Sequence, residues 1–133
     1  VGVYFYSYAN NIEEAKKQAA WVAEQIRGYE IELGVAFDWE DWKNFNQAGM
    51  SFRTINRVAQ EFLAELAKEG YKGWLYGSKN YLEKIWQPGK TPVWLAQYHD
   101  KVTYGGEYGI WQLCDTGRIE GIQGDVDIDV WYF

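Results

Sequence analysis

The chain has 133 residues, one domain's worth, and its 47% hydrophobic content is enough for a real core. A formal net charge of -6 without a Lys/Arg cluster excludes the electrostatic footprint of a nucleic-acid binder. One cysteine, Cys114, and one histidine, His99, exclude an internal disulfide and a zinc cluster.

No leader-like segment and no apolar run of membrane-spanning length is visible, so no membrane partner is expected. The first residues read as a strand that begins at once, without Met, so upstream sequence is expected. Eight Trp among 19% aromatics supply either a ring-rich core or flat apolar faces along a ligand groove.

In chain order, residues 1–8 read as a strand rich in Val, Tyr and Phe. Asn11 and Glu14 have capping-box spacing ahead of a helix over 12–27, with Ile12, Ala15, Ala19, Val22 and Ile26 in one stripe and Gly28 as its stop. Residues 33–39, LGVAFDW, are almost continuously apolar, as in a strand covered on both faces. A polar loop over 41–50 leads to a helix from Ser51 to Lys68, whose apolar face is Ile55, Val58, Ala59, Phe62, Leu63 and Leu66 and whose stop is Gly70.

A short strand at 73–77 follows, then a helix over 79–86 capped by Ser78 and stopped by Pro88-Gly89. Residues 92–98 form a strand with Pro92 first, where a missing N–H matters least. A glycine-containing loop at 99–108 precedes strands at 109–114 and 125–132. Gly117, Gly121 and Gly124 read as turn residues with positive φ. Strands separated by helices predict parallel βα units, and the last two connections are short enough for antiparallel pairing. The expected class is α/β, an incomplete (β/α) barrel of the TIM type with about six of eight strands, over a single domain at 1–133.

Asp38 and Glu40 stand two apart on or just past the second strand. A period of two puts both on one face with Ala36, about 6 to 7 Å apart. Val35, Phe37 and Trp39 take the other face, under the helices. The C-terminal ends of strands are where α/β barrels carry their chemistry. Two neighbouring carboxylates split their protonation behaviour, one kept protonated and one charged, as glycoside cleavage requires. A solvated or helix-capping pair has the same spacing, so the motif alone leaves both readings open. Asp125, Asp127 and Asp129 alternate with Val126, Ile128 and Val130. A surface strand and a strand facing a polar barrel mouth both give that pattern. A cation site is a third reading, without the glycine-centred loop that calcium sites use. Cys114 reads as a small buried residue.

Five stretches together resemble the family 25 glycoside hydrolases, the Chalaropsis-type lysozymes or muramidases of bacteria and phage endolysins. They are GVYFYSYA at 2–9, FDWE at 37–40, LYGSKNYL at 75–82, VWLAQY at 93–98, and IWQLCDTGRIEGIQGDVDIDVWY at 110–132, in family order. The resemblance implies Glu40 as proton donor, Asp38 as the group that orients the substrate acetamido group, and Asp127 as the acid of the final strand. It implies Tyr6, Tyr76, Trp94, Tyr98 and Gln112 as groove residues, with core packing the alternative for each. The implied reaction is hydrolysis of the β-1,4 bond between N-acetylmuramic acid and N-acetylglucosamine in peptidoglycan, by a substrate-assisted route with no metal or other cofactor.

The implied setting is extracellular or at the cell wall, by secretion or release during phage lysis. Members of the family open with a strand carrying G-x-D. This chain resembles them from the third strand on, so an N-terminal segment or a second chain is an expected complement. The other reading is a glycan-binding or structural module without turnover.

Overall fold

The computed structural model describes residues 1–132. The elements alternate as β1 (Gly2–Tyr6), α1 (Ile12–Gln25), β2 (Gly34–Asp38), α2 (Phe52–Lys68), β3 (Gly73–Ser78), α3 (Lys79–Lys84), β4 (Val93–Ala96), β5 (Ile110–Gly117) and β6 (Val126–Trp131). The strands are hydrogen-bonded in sequence order, β1-β2-β3-β4-β5-β6. The class is the expected one, a mixed α/β sheet of six strands in the manner of an incomplete barrel. The chain divides into two compact units, residues 1–75 and 76 onward.

In the first unit β1, β2 and β3 are parallel, with Tyr4 opposite Ala36, Tyr6 opposite Asp38 and Phe37 opposite Leu75. Every residue of β2 is buried, as its unbroken apolar run requires of a strand covered on both faces. The alternation sends Phe5 and Phe37 to the helix side. There Phe62 of α2 stacks on Phe5 at 5.3 Å and leans on Phe37 at 4.9 Å. Phe37 and Phe62 are fully buried, and each contributes about 1.5–3 kcal/mol by leaving water.

Both helices begin where the sequence dictates and α2 ends where expected, while α1 ends at Gln25, two residues before the expected bound. Ser51 Oγ accepts from Thr54 N–H at 3.1 Å. Glu14 N–H donates to Asn11 Oδ1 at 2.9 Å, but the Glu14 carboxylate accepts from Asn10 N–H rather than closing the box on Asn11. Gly70, at φ 86°, lets α2 end with Gly70 N–H on the Ala67 carbonyl and Tyr71 N–H on the Leu66 carbonyl. This paired closure satisfies carbonyls the helix would otherwise leave bare.

In the second unit β4 and β5 are parallel, and β5 and β6 pair antiparallel with two register irregularities. Two elements are shorter than the sequence suggests. α3 ends at Lys84, because the N–H groups of both Ile85 and Trp86 turn back to the Tyr81 carbonyl. β4 ends at Ala96, because the Gln97 side chain holds the following loop through Thr103 N–H and Tyr104 N–H. Gly121 and Gly124 have positive φ as expected. Gly117 does not. It lies in β5 opposite Val126, and a Cβ there would meet the Ile128 side chain at 2.3 Å. Close cross-strand approach, not a turn, requires that glycine.

Because Phe62 is fully buried between two rings, Phe62→Ala is expected to lower unfolding free energy by about 3–5 kcal/mol, measured by urea denaturation.

Candidate active site

Asp38 is the last residue of β2, and its side chain is only 1% exposed. The parallel register sets Tyr6 beside it and Tyr4 one pair earlier, with Tyr4, Ala36 and Asp38 on the same side of the sheet. The Tyr4 hydroxyl reaches along that face and donates to Asp38 Oδ2. Asp38 Oδ1 is buried and completes no hydrogen bond of ordinary geometry. Burial drives the Asp38 carboxyl up to about 7, opposed by the Tyr4 hydrogen bond, reinforced by the nearby Glu40 charge and eased by the Trp39 backbone N–H.

Glu40 follows two residues on, beyond the end of the strand. The residue is exposed overall, yet burial around its carboxyl group raises that group's pKa too. The Glu40 carbonyl accepts from Trp42 N–H at 2.7 Å, which turns the chain sharply after the acid. Tyr6 borders the same pair, for its hydroxyl is pushed up by burial first and then by the charges of Asp38 and Glu40. Trp39 is buried, and its indole N–H donates to the Ala9 carbonyl ahead of α1. Its ring lies edge-on to Trp42 at 4.9 Å and to Phe45 at 6.1 Å, rings of the turn that follows.

The second unit holds the remaining predicted residues. Gln112 is 4% exposed in an otherwise apolar stretch of β5 and needs partners. It has two, since its Oε1 accepts from the Tyr76 hydroxyl at 2.6 Å and from the Tyr98 hydroxyl at 3.0 Å. Tyr76 is buried, whereas Tyr98 presents its ring to solvent. Trp94 stands edge-on to Tyr76 at 6.1 Å and donates its indole N–H to Asp129 Oδ1 at 2.7 Å. Tyr76, Trp94, Tyr98 and Gln112 thus form one connected cluster, anchored by Asp129.

Asp127 is exposed on β6. Asp129 is raised by burial, lowered by Trp94 and raised again by the like charge of Asp127. Asp125 pairs with Arg118 at 2.8 Å. The three acids therefore have separate surroundings, and among the described residues no group of three or more His, Cys, Asp or Glu is placed to hold a metal ion. Cys114 is a free, half-buried thiol on β5.

One participant escapes the sequence reading, Tyr4, which shares its strand's alternation with Tyr6. Asp129 reads in the sequence as one of an alternating acid run, but not as the partner of Trp94. That period of two was the available signal.

The family description "Glycosyl hydrolases family 25" matches residues 1–122. The chain belongs to glycoside hydrolase family 25. Among solved structures, the modular autolysin LytC of Streptococcus pneumoniae, in complex with a synthetic peptidoglycan ligand, matches with a TM-score of 0.82 at 26% identity, over 98% of this chain and 33% of that one. The catalytic domain of endolysin ply40 from bacteriophage P40 of Listeria monocytogenes matches with a TM-score of 0.76 at 19% identity, over 98% of this chain and 66% of that one.

The lysozyme of Streptomyces coelicolor matches at 0.72 and 18% identity, with the same coverage. At those lower identities the likeness is one of fold. This family 25 chain spans about a third of the length of LytC. No curated protein matches it by sequence.

The Asp38 carboxyl gives a pH signature. Unfolded, it releases its proton near 3.8; folded, it holds it to about 7. Between those values the folded state binds more proton, so stability contributed by this group falls as pH rises through that window, by an order of 2–4 kcal/mol. Asp38→Asn is expected to flatten the decline between pH 4 and pH 8, read from thermal or urea unfolding at several pH values beside the parent chain.

Proposed function

We propose that this chain hydrolyses the β-1,4 bond between N-acetylmuramic acid and N-acetylglucosamine in peptidoglycan, with Glu40 as general acid and then base, and Asp38 as the group that orients the substrate acetamido. The observation that carries this reading is the buried, unpartnered Oδ1 of Asp38 next to Glu40 at the carboxyl end of a parallel strand. A buried polar atom without a partner costs about 1–3 kcal/mol, which a ligand N–H repays when it binds.

The chemistry follows from that vacancy in the hydrogen bonding. The acetamido N–H donates to Asp38 Oδ1, and Tyr4 already serves Oδ2. With two donors the carboxylate form of Asp38 is favoured, and the proton it holds in the free chain becomes available to Glu40. The acetamido oxygen then attacks the anomeric carbon as Glu40 protonates the departing glycosidic oxygen. The cyclic oxazolinium that forms carries a positive charge beside Asp38. Glu40, now a carboxylate, takes a proton from water, which opens the ring and restores the acetamido group. No metal or other cofactor enters this scheme.

Asp127 is carried in this reading on the family resemblance, as the acid of the last strand. Tyr6 is assigned to the wall beside the acids. Trp94 and Tyr98 are assigned as sugar-facing rings, with Tyr76 and Gln112 fixing them through the bonds described above. The natural setting is the bacterial wall, outside the membrane. An N-terminal segment or second chain that completes the domain is part of the proposal, in keeping with the longer relatives. The exposed Tyr98 and the ordered cluster behind it favour a second reading, a glycan-binding module without turnover.

Glu40→Gln is expected to lower the release of reducing ends from purified cell walls by at least about a hundredfold while wall binding persists. Equal release by both proteins would remove Glu40 from its role. Binding without release by the parent chain would select the module reading.

A further inference from the structure

Glu40 has no regular secondary structure to hold it, since β2 stops at Asp38 and the next helix starts at Phe52. What fixes it is a set of contacts on Trp39 and Trp42. Trp39, 2% exposed, donates its indole N–H to the Ala9 carbonyl at 2.9 Å. Its ring then meets Trp42, whose backbone N–H is bonded to the Glu40 carbonyl. Only Glu40 and Asp41 lie between the two rings. The acceptor side is equally fixed. Ala9 N–H donates to Ser7 Oγ at 3.1 Å, and the Ser7 hydroxyl donates to Gln18 Oε1 of α1 at 2.6 Å. Ser7 N–H returns to the Asp38 carbonyl at 2.7 Å. Ser7 and Ala9 are both fully buried, and no step of the proposed reaction uses Ser7 or Trp39.

We propose that Trp39 is a positioning residue for Glu40, and that the buried Ser7 hydroxyl is the latch that holds Trp39's acceptor in place. The segment 7–9 grips the chain just ahead of Glu40 at two successive residues, through the Asp38 carbonyl and the Trp39 indole. Asp38 is fixed by the strand ladder whether or not the indole bond exists. Glu40 is not, so loss of that bond displaces Glu40 selectively. A displacement of about 1 Å at a reacting group costs on the order of a hundredfold in rate.

The inference rests on the role proposed for Glu40, and its test separates the two. Trp39→Phe keeps an aromatic ring on the Trp42 side and removes the indole N–H together with part of the ring volume, so its fold is checked alongside Ser7→Ala, which leaves the indole intact. In the full chain Trp39→Phe is expected to lower kcat on cell walls about tenfold to a hundredfold with KM changed less than about threefold. Independently of any turnover, NMR titration of the side-chain carboxyls is expected to show the Glu40 midpoint falling toward an ordinary glutamate value while Asp38 stays elevated.

Ser7→Ala is expected to give the same selective change more weakly, and it serves if Trp39→Phe does not fold. A Glu40 midpoint equal to that of the parent chain in both folded variants, or in Ser7→Ala alone if only it folds, overturns the proposal. If the parent chain releases no sugar ends, the proposed function fails, and the titration still decides whether Trp39 positions Glu40.

Discussion

The structure around the acids depends on one constraint, the burial of an ionisable carboxyl at the end of a strand. Asp38 is taken out of water by the sheet, and the energetic penalty is offset in part by the Tyr4 hydroxyl on Oδ2 and by the Trp39 backbone N–H. That arrangement exists only because β1 and β2 are parallel and in a particular register, which sets Tyr4 within reach along the shared face. A slip of one residue would send the tyrosines to the helix side and the phenylalanines to the acids. The packing of Phe5, Phe37 and Phe62 is thus also what keeps the register. Core formation and site formation in this unit are one event.

The two acids differ by environment rather than by type. Asp38 is enclosed in the sheet, while Glu40 stands on a turn that aromatic contacts hold from either side. An enclosed group is suited to a fixed hydrogen-bonding task. A group at the rim can exchange protons with a substrate oxygen and with water. The second unit shows the same economy. One amide, Gln112, organises two tyrosines, and one carboxylate, Asp129, organises a tryptophan.

Much of this was legible in the sequence, for identifiable reasons. The helix faces, the Ser51 and Ser78 caps and the Gly70 stop are local features, set by spacing over a few residues. The apolar run of β2 was legible too, though the strand ends at Asp38, one residue before the expected bound. What escaped is what depends on register between distant strands. Tyr4 meets Asp38 across 34 residues of sequence, and Trp94 meets Asp129 across 35. Gly117 was misread because its requirement comes from Ile128 on the partner strand and not from its own turn. The rings of Trp42 and Phe45 against Trp39 were also not foreseen, because they lie in the turn after it. The division of roles between Asp38 and Glu40 was visible only through the family resemblance.

The acid run of β6 has a further consequence. Among the described strands β6 stands last in the order, and a strand with one side unpaired offers its backbone groups to any other chain of extended conformation. Here every second side chain from Asp125 to Asp129 is a carboxylate, on a chain that already carries a net charge of -6. A second copy laid against this edge would bring like charges into register at alternate positions, at a penalty repeated along the strand. Wherever that edge is left uncovered, the same aspartates set a second copy against like charge, most strongly at low salt, where the repulsion is least screened.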